Sequence, residues 1–208
     1  MQSTKSESTP LTTKPPSKSL LSTHLESPAT QQQLIALARD AIHYRVKTGN
    51  SFKVESSDYP PALQEQGCCF VTLHKQGKLR GCIGALEPYT SLLQDIVNHA
   101  QSAAVGDPRF PPVTPHELSE LDIDISVLTP QEPIEANGED DLLNQLVASK
   151  DGLTIDDGHH RATFLPSVWE QLPSKEEFLL HLKRKAGLRD HEWPSTMKCW
   201  RYHTLMIS

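Results

Sequence analysis

Cysteine is scarce in this chain, with four among 208 residues, and their placement excludes more than their number does. They fall as the adjacent pair Cys68-Cys69 and as the isolated Cys82 and Cys199. Neither a CxxC pair nor an ordered zinc-ligand spacing results, so a zinc knuckle is not expected. Long apolar runs are also missing. None approaches the roughly 18 residues that a bilayer-spanning helix requires. Residues 1 to 28 lack the apolar stretch of a secretion signal, lack arginine, and carry Glu7 and Glu26, so neither export nor an organelle transit segment is expected. Free thiols in a reducing cytoplasm are the corresponding expectation. Basic charge is in deficit as well. A net charge of −6 argues against a surface built wholly for nucleic acid.

What the chain does contain divides at residue 28. Residues 1 to 28 are dominated by Ser, Thr and Pro and read as a disordered tail, with too few large apolar side chains to offset the entropy lost on ordering. Residues 29 to 208 read as one domain. Order is expected from Ser27-Pro28, a cap followed by proline at the first helical position, with Leu34, Leu37, Ala38, Ala41 and Ile42 as the apolar stripe and Gly49 as the stop. Cys68 to His74 and Lys78 to Gly84 read as a hairpin turning at Gln76-Gly77. Thr90 can cap a second helix that ends at Gly106, and three prolines then stiffen Asp107-Pro108-Arg109-Phe110-Pro111-Pro112. Thr114-Pro115-His116-Glu117 is a capping box.

Further on, Leu121, Ile123, Ile125 and Val127 alternate with Asp122, Asp124 and Ser126, as in a strand with one buried and one wet face. The two acids invite a metal, but no third ligand lies nearby in sequence and solvated strand carboxylates are the commoner case. A helix over Glu139 to Ala148, a hairpin turning at Asp157-Gly158, a capped helix from Ser174 to Gly187 and a last strand from Met197 to Ile207 complete the pattern. Helices interleave irregularly with hairpin-linked strands. The expected class is α+β with a mainly antiparallel sheet and flanking helices.

The run Leu79-Arg80-Gly81-Cys82-Ile83-Gly84 carries the chemistry. In a regular strand Leu79 and Ile83 face the core, while Arg80 and Cys82 share the opposite face. A guanidinium beside a thiol favours the thiolate, and the glycines let another segment or a ligand approach closely. The candidate site is therefore Cys82 as nucleophile, with Arg80, Gly81, Gly84, Asp107 and Arg109 binding a small anionic ligand. The competing reading makes Cys82 a small packing residue.

Leu79 to Gly84, Asp107 to Pro112, Leu121 to Ile134 with its Ser-Val-Leu-Thr-Pro core, and Lys185-Ala186-Gly187-Leu188 before Trp193 occur here in an order that resembles the AMMECR-one domain family, over roughly residues 30 to 207. Within it the chain is similar to the prokaryotic members named for an AmmeMemoRadiSam system. The resemblance implies a compact α+β fold in two unequal lobes, with the cysteine motif near the cleft between them. It also implies a Memo-like protein and a radical SAM protein as partners. It supplies no reaction and no cofactor. Many prokaryotic members carry cysteine where this chain has Lys183, which weakens any mechanism pairing that position with Cys82 as a second redox thiol. His159-His160 is not a family feature, and histidines beside a turn are more often solvated than metal-bound.

Three functions follow as expectations. The first is a partner or adaptor whose Arg/Cys-lined cleft holds a small anion or a partner segment. The second is a thiol-dependent enzyme or group carrier using Cys82, for which His74 or Asp107 is the available base. The third is an RNA-binding accessory, motivated by Lys183-Arg184-Lys185 and Arg189 and opposed by the acidic net charge.

Overall fold

The computed structural model describes residues 20–208, with side chains from residue 23 onward. Most of the expected tail lies outside the described residues. Its last part does not: α1 (Leu20–Leu25) is helical and buries Leu25, so order begins before Ser27. Helix α2 (Pro28–Thr48) follows with Pro28 in its first turn. It buries the predicted stripe and stops at Gly49, whose φ of 71° puts its N–H on the Arg45 carbonyl.

The larger lobe is an antiparallel sheet in the order β10-β5-β2-β3, formed by β2 (Cys69–Lys75), β3 (Lys78–Gly84), β5 (Leu121–Leu128) and β10 (Thr204–Ile207). Gln76 and Gly77 both have positive φ, 51° and 72°, as a tight hairpin turn matched to the sheet's twist demands. Helices α2 and α4 (Leu92–Val105) cover one face, and their apolar stripes meet Val71, Leu73, Ile123, Ile125 and Val127 in one core. A short ladder of β1 (Gln66–Gly67) with β4 (Thr90–Ser91) leads into α4. Ser91 rather than Thr90 caps that helix, accepting from the Gln94 N–H at 3.3 Å, because the helix starts at Leu92 and Ser91 is the residue immediately before it. Between β1 and α2 lie only the short α3 (Pro61–Gln64) and a turn of 3-10 helix. The predicted capping box at Thr114 and Glu117 is formed, and it opens a 3-10 helix rather than an α-helix.

The smaller lobe is a second antiparallel sheet, β6-β9-β7-β8, built from β6 (Glu132–Ile134), β7 (Gly152–Asp156), β8 (Arg161–Phe164) and β9 (Lys198–Tyr202). Helix α6 (Lys175–Ala186) packs on it through Phe178, Leu179 and Leu182, and Trp169 stacks on Phe178 with ring centroids 3.8 Å apart. Helix α5 (Glu139–Gln145) ends three residues before the expected Ala148.

The chain enters the smaller lobe after β5 and returns after β9. Alternation alone predicted one strand from Met197 to Ile207; the structure has two, β9 in the smaller sheet and β10 in the larger, separated at His203. The two crossing segments are bonded to each other, the Thr129 N–H to the His203 carbonyl at 2.9 Å and the His203 N–H to Thr129 Oγ1 at 2.8 Å. Cys68, Leu128 and Tyr202 form a third apolar cluster, with Phe70, Leu86 and Leu165 packed against it, and fill the join. No helix among the described residues is long and apolar enough to cross a membrane.

Candidate functional site

Strand β3 is an edge strand, and its register decides where the motif points. Gly81 pairs with Leu73 and Leu79 with His74, so the pairing shifts there and Arg80 becomes the extra residue of a β-bulge. A one-residue shift moves the following side chains to the other face. Leu79, expected in the core, is consequently 42% exposed, while Ile83 beyond the bulge still packs against the core.

Both arginines of the predicted site are held by the protein itself. Arg80 grips Glu117 with two nitrogens, Nε to Oε1 at 3.0 Å and Nη2 to Oε2 at 3.2 Å, and its Nη1 donates to the Pro111 carbonyl at 2.9 Å. This pair, together with the bonds from Thr114, holds the Glu117 carboxyl well below the usual carboxylate range. Arg109 folds back on Asp107, Nε to Oδ1 at 2.9 Å and Nη2 to Oδ2 at 2.6 Å. Asp107 is buried and its acidity is strongly increased, first by the Arg109 side chain and then by two backbone N–H groups.

One of those N–H groups belongs to Cys82, which donates to Asp107 Oδ2 at 2.9 Å, and Arg109 Nη2 donates to the Cys82 carbonyl at 3.1 Å. The stiff loop thus does for the open edge of β3 what a further strand would do, and it pairs the Cys82 backbone on the side away from β2. The glycines serve packing. A Cβ on Gly81 would lie 2.2 Å from the Ala103 carbonyl oxygen of α4, and one on Gly84 would lie 2.3 Å from the Phe70 ring.

With its backbone committed outward, Cys82 sits opposite Thr72 in a non-hydrogen-bonded pair, where side chains approach most closely. Thr72 Oγ1 donates to Cys82 Sγ at 3.3 Å. The sulfur lies on one wall of a cleft of about 640 Å³ between the lobes. That wall is the uncovered face of the larger sheet and presents Phe70, Thr72, His74, Cys82, Asp124 and Ser126. The smaller lobe supplies the opposite wall through Leu165, Pro166, Ser167, Trp169 and Glu170. His74 Nδ1 contacts Asp124 Oδ2 at 3.1 Å, which leaves Nε2 as the ring nitrogen turned from that carboxylate.

The structure therefore brings Cys82 together with His74, one of the two bases considered from sequence. The other, Asp107, is bonded behind the strand, and neither Arg80 nor Arg109 lines the cleft. Thr72 escaped the sequence reading, Asp124 figured in it only as one of two strand acids weighed for a metal, and Glu170 escaped it as well. Alternation along Phe70-Thr72-His74 and Ile123-Asp124-Ile125 marks the first two as wet-face residues, but only the β2–β5 register sets His74 two residues from the position opposite Asp124.

The other three thiols are buried. Burial pushes Cys68 and Cys199 up to about 12, and burial with the neighbouring Asp95 raises Cys69 well above its ordinary value. Cys69, Asp95 and His99 do bring potential metal-ligand atoms within 4.8 Å of one another. Asp95 Oδ2 already accepts the Cys69 N–H at 2.8 Å and contacts His99 Nδ1 at 3.1 Å, so the cluster is bonded within itself. The basic run on α6 is also engaged. Lys183 is fully buried against Glu139 and the Asp190 carbonyl, Arg184 pairs with Asp190, and Lys185 reaches the Thr163 carbonyl. His160 pairs with Asp157 at 3.0 Å.

Comparison with known proteins agrees with this architecture. A family model described as AMMECR1 matches residues 35–207. A protein of Methanothermobacter thermautotrophicus is 40% identical over 160 residues, which cover 74% of this chain and 81% of that one. Protein PH0010 of Pyrococcus horikoshii is 38% identical over 170 residues, covering 77% and 80% respectively. The crystal structure of PH0010, titled as an uncharacterized protein, superposes with a TM-score of 0.69 at 34% identity, over 85% of this chain and 89% of that one.

Proposed function

The chain belongs to the AMMECR1 family, and from that premise we propose that it is a thiol-dependent enzyme or group carrier whose working group is the Cys82 sulfur in the interlobe cleft. One observation carries the reading. Of four free thiols, Cys82 alone is not buried, and it shares its wall with a paired His74–Asp124 dyad. Asp124 orients the imidazole, so His74 can take the thiol proton as sulfur bonds to an electrophilic carbon and that carbon's bond to its leaving group breaks. His74 stands two residues along β2, about 7 Å, from Thr72, which lies opposite Cys82, so Thr72 positions the sulfur while His74 is reached through a water. The clamp from Asp107 and Arg109 fixes the strand that carries the nucleophile.

The anion-binding form of the adaptor reading rested on arginines in the cleft. Both guanidinium groups are turned to internal carboxylates, so the cleft offers an anion little. The Memo-like and radical SAM proteins implied by the sequence resemblance enter this proposal as the source or the acceptor of the group that Cys82 carries. A reducing compartment such as the cytoplasm suits a working free thiol.

The test is the pH dependence of Cys82 alkylation by iodoacetamide, measured by mass spectrometry in the wild type and in His74→Asn. At each pH labelling is expected to be several-fold faster in the wild type than in the variant. Identical profiles would remove His74 from the mechanism, and a Cys82 that labels only on unfolding would remove the proposal.

A further inference from the structure

The cleft that holds Cys82 is charged in one direction. Its lining includes the carboxylates of Asp124 and Glu170, a single histidine, and no lysine or arginine. Asp124 is partly satisfied by His74 at 3.1 Å. Glu170 sits at the end of a 3-10 helix (Pro166–Glu170) on the opposite wall, is exposed, and makes no hydrogen bond or ion pair with the described residues. Lys150 and His203 line a smaller adjoining depression rather than the cleft, and His203 is already bonded to buried Asp151 at 2.9 Å. Apolar surface comes from Phe70, Leu165, Trp169 and Met206 on the two walls. A volume of about 640 Å³ is in the range of small-molecule sites.

Resting on the reading of this cleft as the functional site, we propose that its ligand is a cation: a small molecule with an apolar body that carries an ammonium group. The apolar part lies against Phe70, Leu165 and Met206. The ammonium lies toward Glu170, which has no competing partner, with Asp124 adding to the negative field from the other wall. A carboxylate or phosphate ligand would meet both acids, with Arg80 and Arg109 already bonded elsewhere. The same charge pattern places the electrophilic carbon of the thiol reaction on the apolar part of the ligand, at a distance from its amine.

Benzylamine and sodium benzoate, alike in shape and opposite in charge, separate the possibilities. Two readouts are taken on the full chain: the rate at which neutral iodoacetamide labels Cys82, and the amide shifts of Phe70, Thr72 and Ser126. Benzylamine is expected to slow labelling several-fold and to shift those amides in a saturable way, benzoate to do neither, and Glu170→Lys to abolish the benzylamine effect. Benzoate binding in place of benzylamine overturns the charge assignment while leaving the cleft as the site. Benzylamine binding that is untouched by Glu170→Lys, or no response of the cleft amides to benzylamine, overturns the inference. A Cys82 that resists labelling without any ligand is a failure of the thiol reading instead, and the amide shifts then decide the ligand question alone.

Discussion

Cys82 faces two regions of the molecule that treat polar groups in opposite ways. Along the outer edge of β3, Asp107, Arg109, Arg80 and Glu117 are bonded to one another and to backbone atoms, with Arg80 and Asp107 largely buried. On the cleft face of the same residue, Glu170 has no partner among the described residues and the sulfur has only a hydroxyl. The charged residues that look most chemical in the sequence are the ones the fold consumes. Function is better sought where polar groups are left with capacity to spare.

Substitutions at the edge and in the cleft separate these roles. The largest loss is expected from Gly81→Ala, because the new Cβ would stand 2.2 Å from a backbone oxygen of α4 that cannot move alone. Thermal denaturation should show a destabilisation of about 3 kcal/mol. Asp107→Ala comes next. It strands the Cys82 N–H and one guanidinium, at a cost of about 2–3 kcal/mol by urea unfolding, and it should blur Cys82 reactivity only through loosening of the strand.

Acid titration of stability tests the same edge without mutation. The Asp107 and Glu117 carboxyls are more acidic folded than unfolded, so their contribution is complete only above about pH 5 and is lost as pH falls through the folded values. Asp107→Ala should flatten that acid limb. The smallest effect on stability belongs to the cleft. Cys82→Ala should change unfolding free energy by less than about 1 kcal/mol, since no buried partner depends on the thiol, while abolishing any partner-dependent turnover. A large loss of stability in Cys82→Ala would erase the distinction between edge and cleft.

Much of the fold could be read along the chain because its signals are local. The Gln76-Gly77 turn, the stripe of α2, the Thr114–Glu117 box and the αL stop at Gly187 each depend on residues within a few positions. Three features could not be read. The bulge at Arg80 exists only relative to β2, so alternation placed Leu79 on the wrong face. The break at His203 separates two strands that keep the same alternation while joining different sheets, and which sheet each joins is a tertiary matter. The target of Asp107 is a backbone N–H 25 residues away, which no side-chain pattern advertises. The site was half legible for the same reason. Cys82 and His74 share a hairpin, but Asp124 and Glu170 reach them only through sheet register and the closing of one lobe over the other.

The central claim is that Cys82 turns its backbone to the scaffold and its sulfur to the cleft. Brief treatment of the native protein with iodoacetamide, followed by mass spectrometry of each cysteine-containing peptide, tests it most directly. The account predicts labelling of Cys82 while Cys68, Cys69 and Cys199 stay protected until the chain is unfolded. A Cys82 as protected as Cys69 in the native state would contradict it.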